Sequence, residues 1–347
     1  MSWTLYPAAQ FERHMDAWGA LHAASQASPM LAPDFIHPLL REFGGGRELL
    51  AVYAAAGRPQ AMALLAPSGR FGWATFQPAQ APIGLWMQES ALALPALLEG
   101  LLSRLPGLGL VLGATQLDPF LLARPADGGA LATLDYIDTA RITLAGSFED
   151  YWAARGKNLR TNLKKQRARL DKDGVITRMQ ISRDAADVAA AVADYGRLES
   201  AGWKAREGTA VHPDNAQGRF YRAMLEAFCA RGAGSIYRYW FGDQLVAMDL
   251  CIEDGESIIV LKTAYDESVP GSLSPTLLMR EEQMRQLFAE ARIRRLEYYG
   301  KVMEWHTRWT DEVRTLYHVN HYRSPLIAHL IAKLKARRNT HIKPERP

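Results

Sequence analysis

Apolar and polar positions along this chain repeat one order of elements twice, and the second copy is the clearer. Runs rich in β-branched and aromatic residues predict strands near Val175–Ile181, Ser235–Phe241, Gln244–Ile252 and Ser257–Tyr265. Tight-turn pairs at Gly242-Asp243 and Asp254-Gly255 set the last three apart. Helical spacing of apolar positions predicts helices over 148–171, Asp184–Glu199, Asn215–Arg231 and Pro275–Ala291. A strand at Arg294–Tyr299 follows, then a short helix and one or two strands as far as Tyr322.

The first copy is paler. A strand at Trp3–Tyr6 leads into helical patterns at Gln10–Ala24 and Asp34–Phe43, then strands near Glu48–Ala54, Pro59–Ala66 and Phe71–Phe76. A Pro/Gly-rich loop over Gln77–Gly84 precedes a helix at Ala91–Leu105 and a strand at Leu108–Gly113. The shared order is strand, two helices, three strands, loop, helix, strand. It duplicates elements rather than residues, and its junction falls near Ala145–Ser147. At 347 residues, two domains are also the natural division by size.

Composition narrows the class. A 48% hydrophobic content with 22% charged residues describes an ordinary globular chain rather than a disordered one. Cys229 and Cys251 each sit inside an apolar pattern, which argues against a disulfide framework and a cysteine metal site and fits a reducing compartment. No metal is expected. The N-terminus lacks the basic flank and apolar run of a signal peptide, and no apolar run reaches the ~18 residues of a membrane span. A cytoplasmic location is the resulting expectation. The net charge of +4 tilts weakly toward anionic partners. Much of it is local: Arg155, Lys157, Arg160, Lys164, Lys165, Arg167, Arg169 and Lys172 face Asp171 alone, and a second excess follows Lys333.

The loop Ser272-Leu273-Ser274-Pro275 carries the most chemistry. It opens a helix just past a strand, where unpaired backbone N–H groups and the positive end of the helix dipole seat a pyrophosphate. Ser274 suits the N-cap and Pro275 the first helical position. From Thr276 onward Leu277, Leu278, Met284 and Leu287 recur at helical spacing beside Arg280, Glu281, Glu282 and Arg285. The loop Gln77–Gly84 in the first copy lacks a clear N-cap, so the donor site is expected in the second.

Several segments fall in one order over residues 150–322: Arg160–Lys165, Glu199–Lys204, Phe220–Arg222, Gly242–Ala247, Lys262–Glu267, Ser274-Pro275, Tyr299-Gly300 and His306–Trp309. As a set they resemble the GNAT acetyltransferase superfamily, and in particular its CelD-type branch associated with bacterial cellulose and exopolysaccharide biosynthesis. The doubled layout also resembles FemAB-type peptidyltransferases, which use two such domains and an aminoacyl-tRNA donor. The resemblance implies an α/β fold (α+β, mixed sheet) of two tandem GNAT-like domains. Residues 1–146 would be a degenerate first domain, 147–325 the acyl-CoA-binding domain, and 326–347 a basic helix and tail. Thr276 stands where the family usually has Gly, and His306 where it commonly has Lys.

Acyl transfer from a thioester to an amine needs a strand edge for the pantetheine arm, an N–H for the oxyanion, and a group that takes the acceptor's proton. The resemblance assigns the donor, acetyl-CoA or another acyl-CoA, to Leu261, Lys262 and Thr263 on the strand and to Ser272, Leu273, Ser274, Pro275 and Thr276 on the loop. Base candidates are Asp249, Glu199, Glu304 and His306. Strand alternation puts Asp249 beside Ala247 and Cys251 on one sheet face, a partly desolvated setting suited to a general base. Its plainer reading is a cap on a neighbouring loop or an ion pair with Lys262 across the hairpin. His306 is either a base or a packed ring beside Trp305 and Trp309, and Tyr265 either protonates the leaving thiolate or packs. Trp203 and Lys204 at a helix exit, with Tyr221 and Asp266, are expected toward the acceptor.

Leu159, Leu163 and Leu170 form one stripe of the basic helix, so its cations are either a solvated face or a contact for an anionic donor or acceptor. Nucleic acid is not expected there, because aromatics do not interleave with the cations. The stretch Leu326–Arg338 is apolar and then basic, which fits either peripheral contact with an anionic membrane surface or packing on the domain. The expected function is acyl-CoA-dependent N-acylation of a small-molecule or cell-envelope or polysaccharide precursor. The alternatives are a FemAB-like aminoacyl-tRNA-dependent peptidyltransferase and a non-catalytic scaffold in polysaccharide assembly.

Overall fold

The computed structural model describes residues 2–25, 27–201 and 211–341. In chain order the first elements are β1 Ser2–Pro7, α1 Met15–Ala24, α2 Pro33–Phe43, β2 Leu49–Ala55, β3 Arg58–Ser68, β4 Gly72–Thr75, β5 Trp86–Gln88, α3 Leu94–Leu102, β6 Val111–Leu117 and β7 Leu131–Thr143. Next come α4 Phe148–Ala153, α5 Lys157–Lys172, β8 Thr177–Ser182, α6 Val188–Ala201, α7 Ala216–Ala230, β9 Gly234–Phe241, β10 Gln244–Glu253 and β11 Ser257–Tyr265. The chain ends with α8 Pro275–Glu290, β12 Arg295–Tyr298, α9 Glu304–Thr307, β13 Val313–Tyr322 and α10 Pro325–His341.

Two compact units result, one of residues 1–137 with 315–347 and one of 138–314. These divisions differ from the expected ones near Ala145–Ser147 and 325. The reason is strand pairing: β13 lies antiparallel to β6, with Tyr322 opposite Val111, and so returns the chain to the first unit. In that unit the strand order is β1-β2-β3-β4-β6-β13, with β5 added to β3. Its core gathers Trp3, Leu97, Leu98, Leu101, Leu112 and Val319, among others, around the leucine face of α3.

The second unit orders its strands β7-β12-β11-β10-β9-β8, with β11 and β12 parallel and the other pairs antiparallel. Helices α4, α5 and α8 share a core with Tyr239, Ala247, Cys251 and Val260. Helices α6 and α7 pack on one another and on β9, β10 and β11. The basic segment breaks in two because Gly156 takes a non-helical conformation, φ −55 and ψ 137, and starts α5 afresh. Leu159, Leu163 and Leu170 are buried as their spacing requires. Neither β5 nor β7 was legible beforehand: β5 is three residues long, and much of β7 is exposed and polar.

Two glycines pin the chain at Val211 and His212, ahead of α7. A Cβ on Gly196 would stand 2.6 Å from the Val211 carbonyl oxygen, and one on Gly218 would stand 1.9 Å from that of His212. Asn215 caps α7, its side-chain oxygen accepting from Gly218 N at 2.8 Å. Gly218→Ala therefore forces backbone apart and is expected to lower stability by about 1–3 kcal/mol. Urea unfolding measures it, with Gly255→Ala, where a Cβ meets nothing within 4 Å, as a near-neutral comparison.

Candidate functional site

Strand β11 is paired unequally on its two sides. Toward β12 the register runs only from Ser257 opposite Arg295 to Val260 opposite Tyr298, where β12 ends. Toward β10 it continues to Tyr265 opposite Ala247. Leu250 faces Lys262 while Cys251 faces Val260, so Leu261 is left without a partner at an irregularity in the ladder. From Leu261 to Tyr265 one edge of β11 is therefore open among the described residues. A cleft of about 900 Å³ lies there, lined by Thr263 and Tyr265, by the start of α8, and by Trp305, Arg308 and Trp309.

The start of α8 is more occupied than its sequence suggests. Pro275 takes the first helical position and Ser274 the N-cap, but the Ser274 side chain makes no capping bond. Its carbonyl accepts from Leu277 N and Leu278 N at 3.0 and 3.1 Å. Its amide donates to Oε1 of the buried Gln166 on α5 at 2.7 Å. The expectation of free amides around Ser274 is thus corrected, since α5 already holds that one. Thr276 N makes no hydrogen bond among the described residues and stays available, as the Pro275 ring precedes it. Ser272 accepts from Arg169. Leu273, Ser274, Pro275 and Thr276 all line the cleft, whereas Leu261, Lys262 and Ser272 do not.

Asp249 is fully buried and engaged on both oxygens. Arg280 Nη2 of α8 lies 2.7 Å from Oδ2, and the Thr263 hydroxyl donates to Oδ1 at 2.6 Å. The pair with Arg280 is an ion pair by distance, without an N–H aimed squarely at Oδ2. Burial is the largest single influence on Arg280 and opposes its charge, yet Asp249, Tyr298 and Cys251 together outweigh it and hold that guanidinium above its ordinary pKa. The guanidinium also sits 5.4 Å over the Tyr298 ring. Asp249 is therefore no free base, and its partner is Arg280 rather than Lys262. The cause is register: Asp249 faces Thr263, and Lys262 points to the opposite side of the sheet. A sequence signal for Arg280 existed, because it falls three residues after Leu277 and four before Met284, on the buried stripe of α8.

On that opposite side Lys262 meets Glu199. Nζ lies 3.4 Å from Oε1 and 5.6 Å over the Tyr221 ring, and Glu199 Oε2 accepts from Val211 N at 2.7 Å. Burial first, and then the charge of Glu199, pushes the Tyr221 hydroxyl pKa up. Glu199, Lys262 and Tyr221 thus come together, away from the expected pantetheine edge. Trp203 and Lys204 lie outside the described residues.

Tyr265 is 48% exposed at the cleft. Asp266 lines it too: burial works to raise its carboxyl pKa, but bonds from Ser268 and Gln244 hold it below the usual value. His306 does not line the cleft. Its ring is buried, stacked on Trp305 at 3.5 Å, and Nδ1 accepts from Met303 N at 2.9 Å. Burial pulls its pKa down from 6.5 to about 4. The Trp309 carbonyl accepts from Tyr151 and Arg155, both at 2.7 Å, which secures the cleft's far wall. Among the described residues, no group of three or more His, Cys, Asp or Glu is placed to hold a metal ion.

Arg280→Met would leave Asp249 buried and unpaired, with an expected loss of about 3–5 kcal/mol in urea unfolding. Replacing both residues by apolar ones recovers much of that loss, because no lone charge remains. Below pH 6.5 the unfolded chain protonates His306 while the folded chain resists until about pH 4. The stability it contributes is complete above pH 6.5 and is lost as pH falls toward 4, by about 3 kcal/mol. Unfolding curves across that range should flatten in His306→Gln.

Residues 157–310 match the family model described as the acetyltransferase (GNAT) domain. Comparison with curated proteins returned no match. Among solved structures, FemX superposes with a TM-score of 0.57 at 8% identity, covering 95% of this chain and 100% of that one. The C-terminal domain of a protein described as a lysylphosphatidylglycerol synthetase, from Agrobacterium fabrum, gives 0.56 at 13% identity, covering 93% and 95%. L-PGS from Bacillus licheniformis gives 0.50 at 12%, covering 87% and 96%. These likenesses speak to fold alone. Residues 157–310 are thus a GNAT acetyltransferase-type domain, in a chain whose mixed α/β fold is similar to that of FemX.

Proposed function

We propose that the chain moves an acyl group, acetyl in the first instance, from coenzyme A to an amine on a small-molecule or cell-envelope precursor, in the cytoplasm. The observation that carries this reading is the open edge of β11 meeting the start of α8 in one cleft. Amides of a pantetheine arm pair with backbone groups from Leu261 to Tyr265, as a further strand would. The diphosphate sits at the positive end of α8 with the Thr276 amide, and Arg308 adds a cation on the facing wall. Gln166 keeps the loop in place by holding the Ser274 amide.

A main-chain N–H near the irregularity at Leu261 stabilises the oxyanion, an effect worth a few kcal/mol of barrier. The exposed Tyr265 hydroxyl hands its proton to the leaving thiolate. Asp266, ionised at the cleft, seats the acceptor ammonium, which releases one proton to water. The neutral amine then attacks, the C–S bond breaks as the C–N bond forms, and Tyr265 takes back from the new amide nitrogen the proton it gave the thiolate. Asp249 and Arg280 act one step back, by orienting Thr263.

A second reading, aminoacyl transfer from charged tRNA, is favoured by the fold likeness to FemX along its whole length. It asks for cations free to meet phosphates. Arg167 is committed elsewhere, to Glu281 at 2.8 Å and Glu282 at 3.0 Å, so Lys164 and Lys165 are the residues to test. Under this reading, tRNA binding falls steeply with salt and is lost in Lys164→Glu/Lys165→Glu.

Isothermal titration with acetyl-CoA decides the main reading. The expected outcome is saturable binding in the micromolar range, weakened about tenfold by Thr276→Glu, which sets a carboxylate where the diphosphate sits. Absence of binding at millimolar ligand would overturn it. If replacing Asp249 and Lys204 also left cellular function intact, the scaffold alternative would stand instead.

A further inference from the structure

Helix α10 presents an apolar stripe to solvent. Leu326, Leu330 and Leu334, spaced four apart and therefore on one face, are 82%, 59% and 52% exposed. Packing on the domain, one of the two expectations for this segment, does not cover them. Ile327 and Ile331, about a quarter-turn round, are only half-buried. An exposed leucine row of this length on a soluble surface marks a contact with something else.

The charge on the helix says what kind of contact. No aspartate or glutamate occurs between Pro325 and His341, while the sequence supplies Lys333, Lys335, Arg337 and Arg338 in its second half. Lys333 is exposed, and its register sets it directly beside the leucine row. An apolar row flanked by cations, with no anion to repel a phosphate, is complementary to an anionic lipid surface. The start of the helix is anchored for that purpose, since Arg323 Nε donates to the Gly109 carbonyl at 2.6 Å, just ahead of Pro325. The helix is neither long nor apolar enough to cross a bilayer, so it would lie along one.

We propose that α10 is a peripheral membrane anchor, which lies in the interface of an anionic bilayer with Leu326, Leu330 and Leu334 among the acyl chains and its cations at the headgroups. This stands apart from the acyl-transfer reading, and neither depends on the other. Salt weakens the attraction by screening the cations, while the leucines supply the part that salt leaves in place.

Co-sedimentation of the full chain with vesicles tests it, comparing phosphatidylglycerol–phosphatidylcholine mixtures with phosphatidylcholine alone. Expected results are partition into the anionic vesicles, a drop of at least about tenfold in Leu326→Ser/Leu330→Ser/Leu334→Ser, and a smaller, salt-sensitive drop in Lys333→Glu. Because the leucines touch little of the protein, the triple variant should keep its thermal midpoint and circular dichroism. If it unfolds, the single variant Leu326→Ser carries the comparison, with a few-fold drop expected. Partition indifferent to lipid charge, or unchanged in the leucine variants, would overturn the proposal. So would sedimentation velocity showing a wild-type dimer that these substitutions dissociate, since a second copy would then be what covers the row.

Discussion

Parallel pairing between β11 and β12 ends at Val260 and Tyr298, and the rest of the site follows from that. A strand inside a sheet satisfies its backbone on both sides; one whose neighbour stops early keeps a row of N–H and C=O groups for another partner. Here the neighbour ends just as the β10–β11 ladder loses register at Leu261. Among the described residues, neither α8 nor the segment around Trp305 and Trp309 pairs with β11 to close the cleft. Those elements form its walls instead, and α5 steadies one wall through Gln166 and Ser274.

Charge inside the second unit is arranged by the alternation of one strand. Thr263 turns to α8 and meets Asp249 and Arg280, while Lys262 turns to α6 and α7 and meets Glu199 and Tyr221. Two buried ionic groups therefore stand back to back across β11, each neutralised on its own side. Buried pairs of this kind add little net stability against apolar replacements but penalise any arrangement that separates them. They hold β11 in a single register, and that register decides which side chains reach the cleft.

Cations near the loop Ser272–Pro275 divide in the same way between structure and chemistry. Arg167 is tied to Glu281 and Glu282, and Tyr239 donates to Glu282 at 2.6 Å, so the middle of α5 is a clasp on α8. Composition alone counts Arg167 among charges ready for an anionic partner. Only its neighbours reveal that it is already used.

Much of the architecture was legible in the order of residues. The strands β9, β10 and β11, the Asp254-Gly255 turn, Pro275 at the head of α8 and the buried leucines of α5 all follow from local periodicity and turn chemistry, which act over a few residues. The loop Ser272–Pro275 and the strand before it were legible for the same reason. The ion-pair partners of Asp249 and Lys262 were not, nor was the hold of Gln166 on the Ser274 amide more than a hundred residues away. Those depend on a one-residue irregularity at Leu261 and on the approach of α5 and α8, contacts between distant segments that no local pattern records. The sequence by itself determined most of the strands and helices and the place of the loop Ser272–Pro275 ahead of α8. Tertiary structure alone decided which face each charged side chain meets, because a strand's two faces interchange with a single step of register.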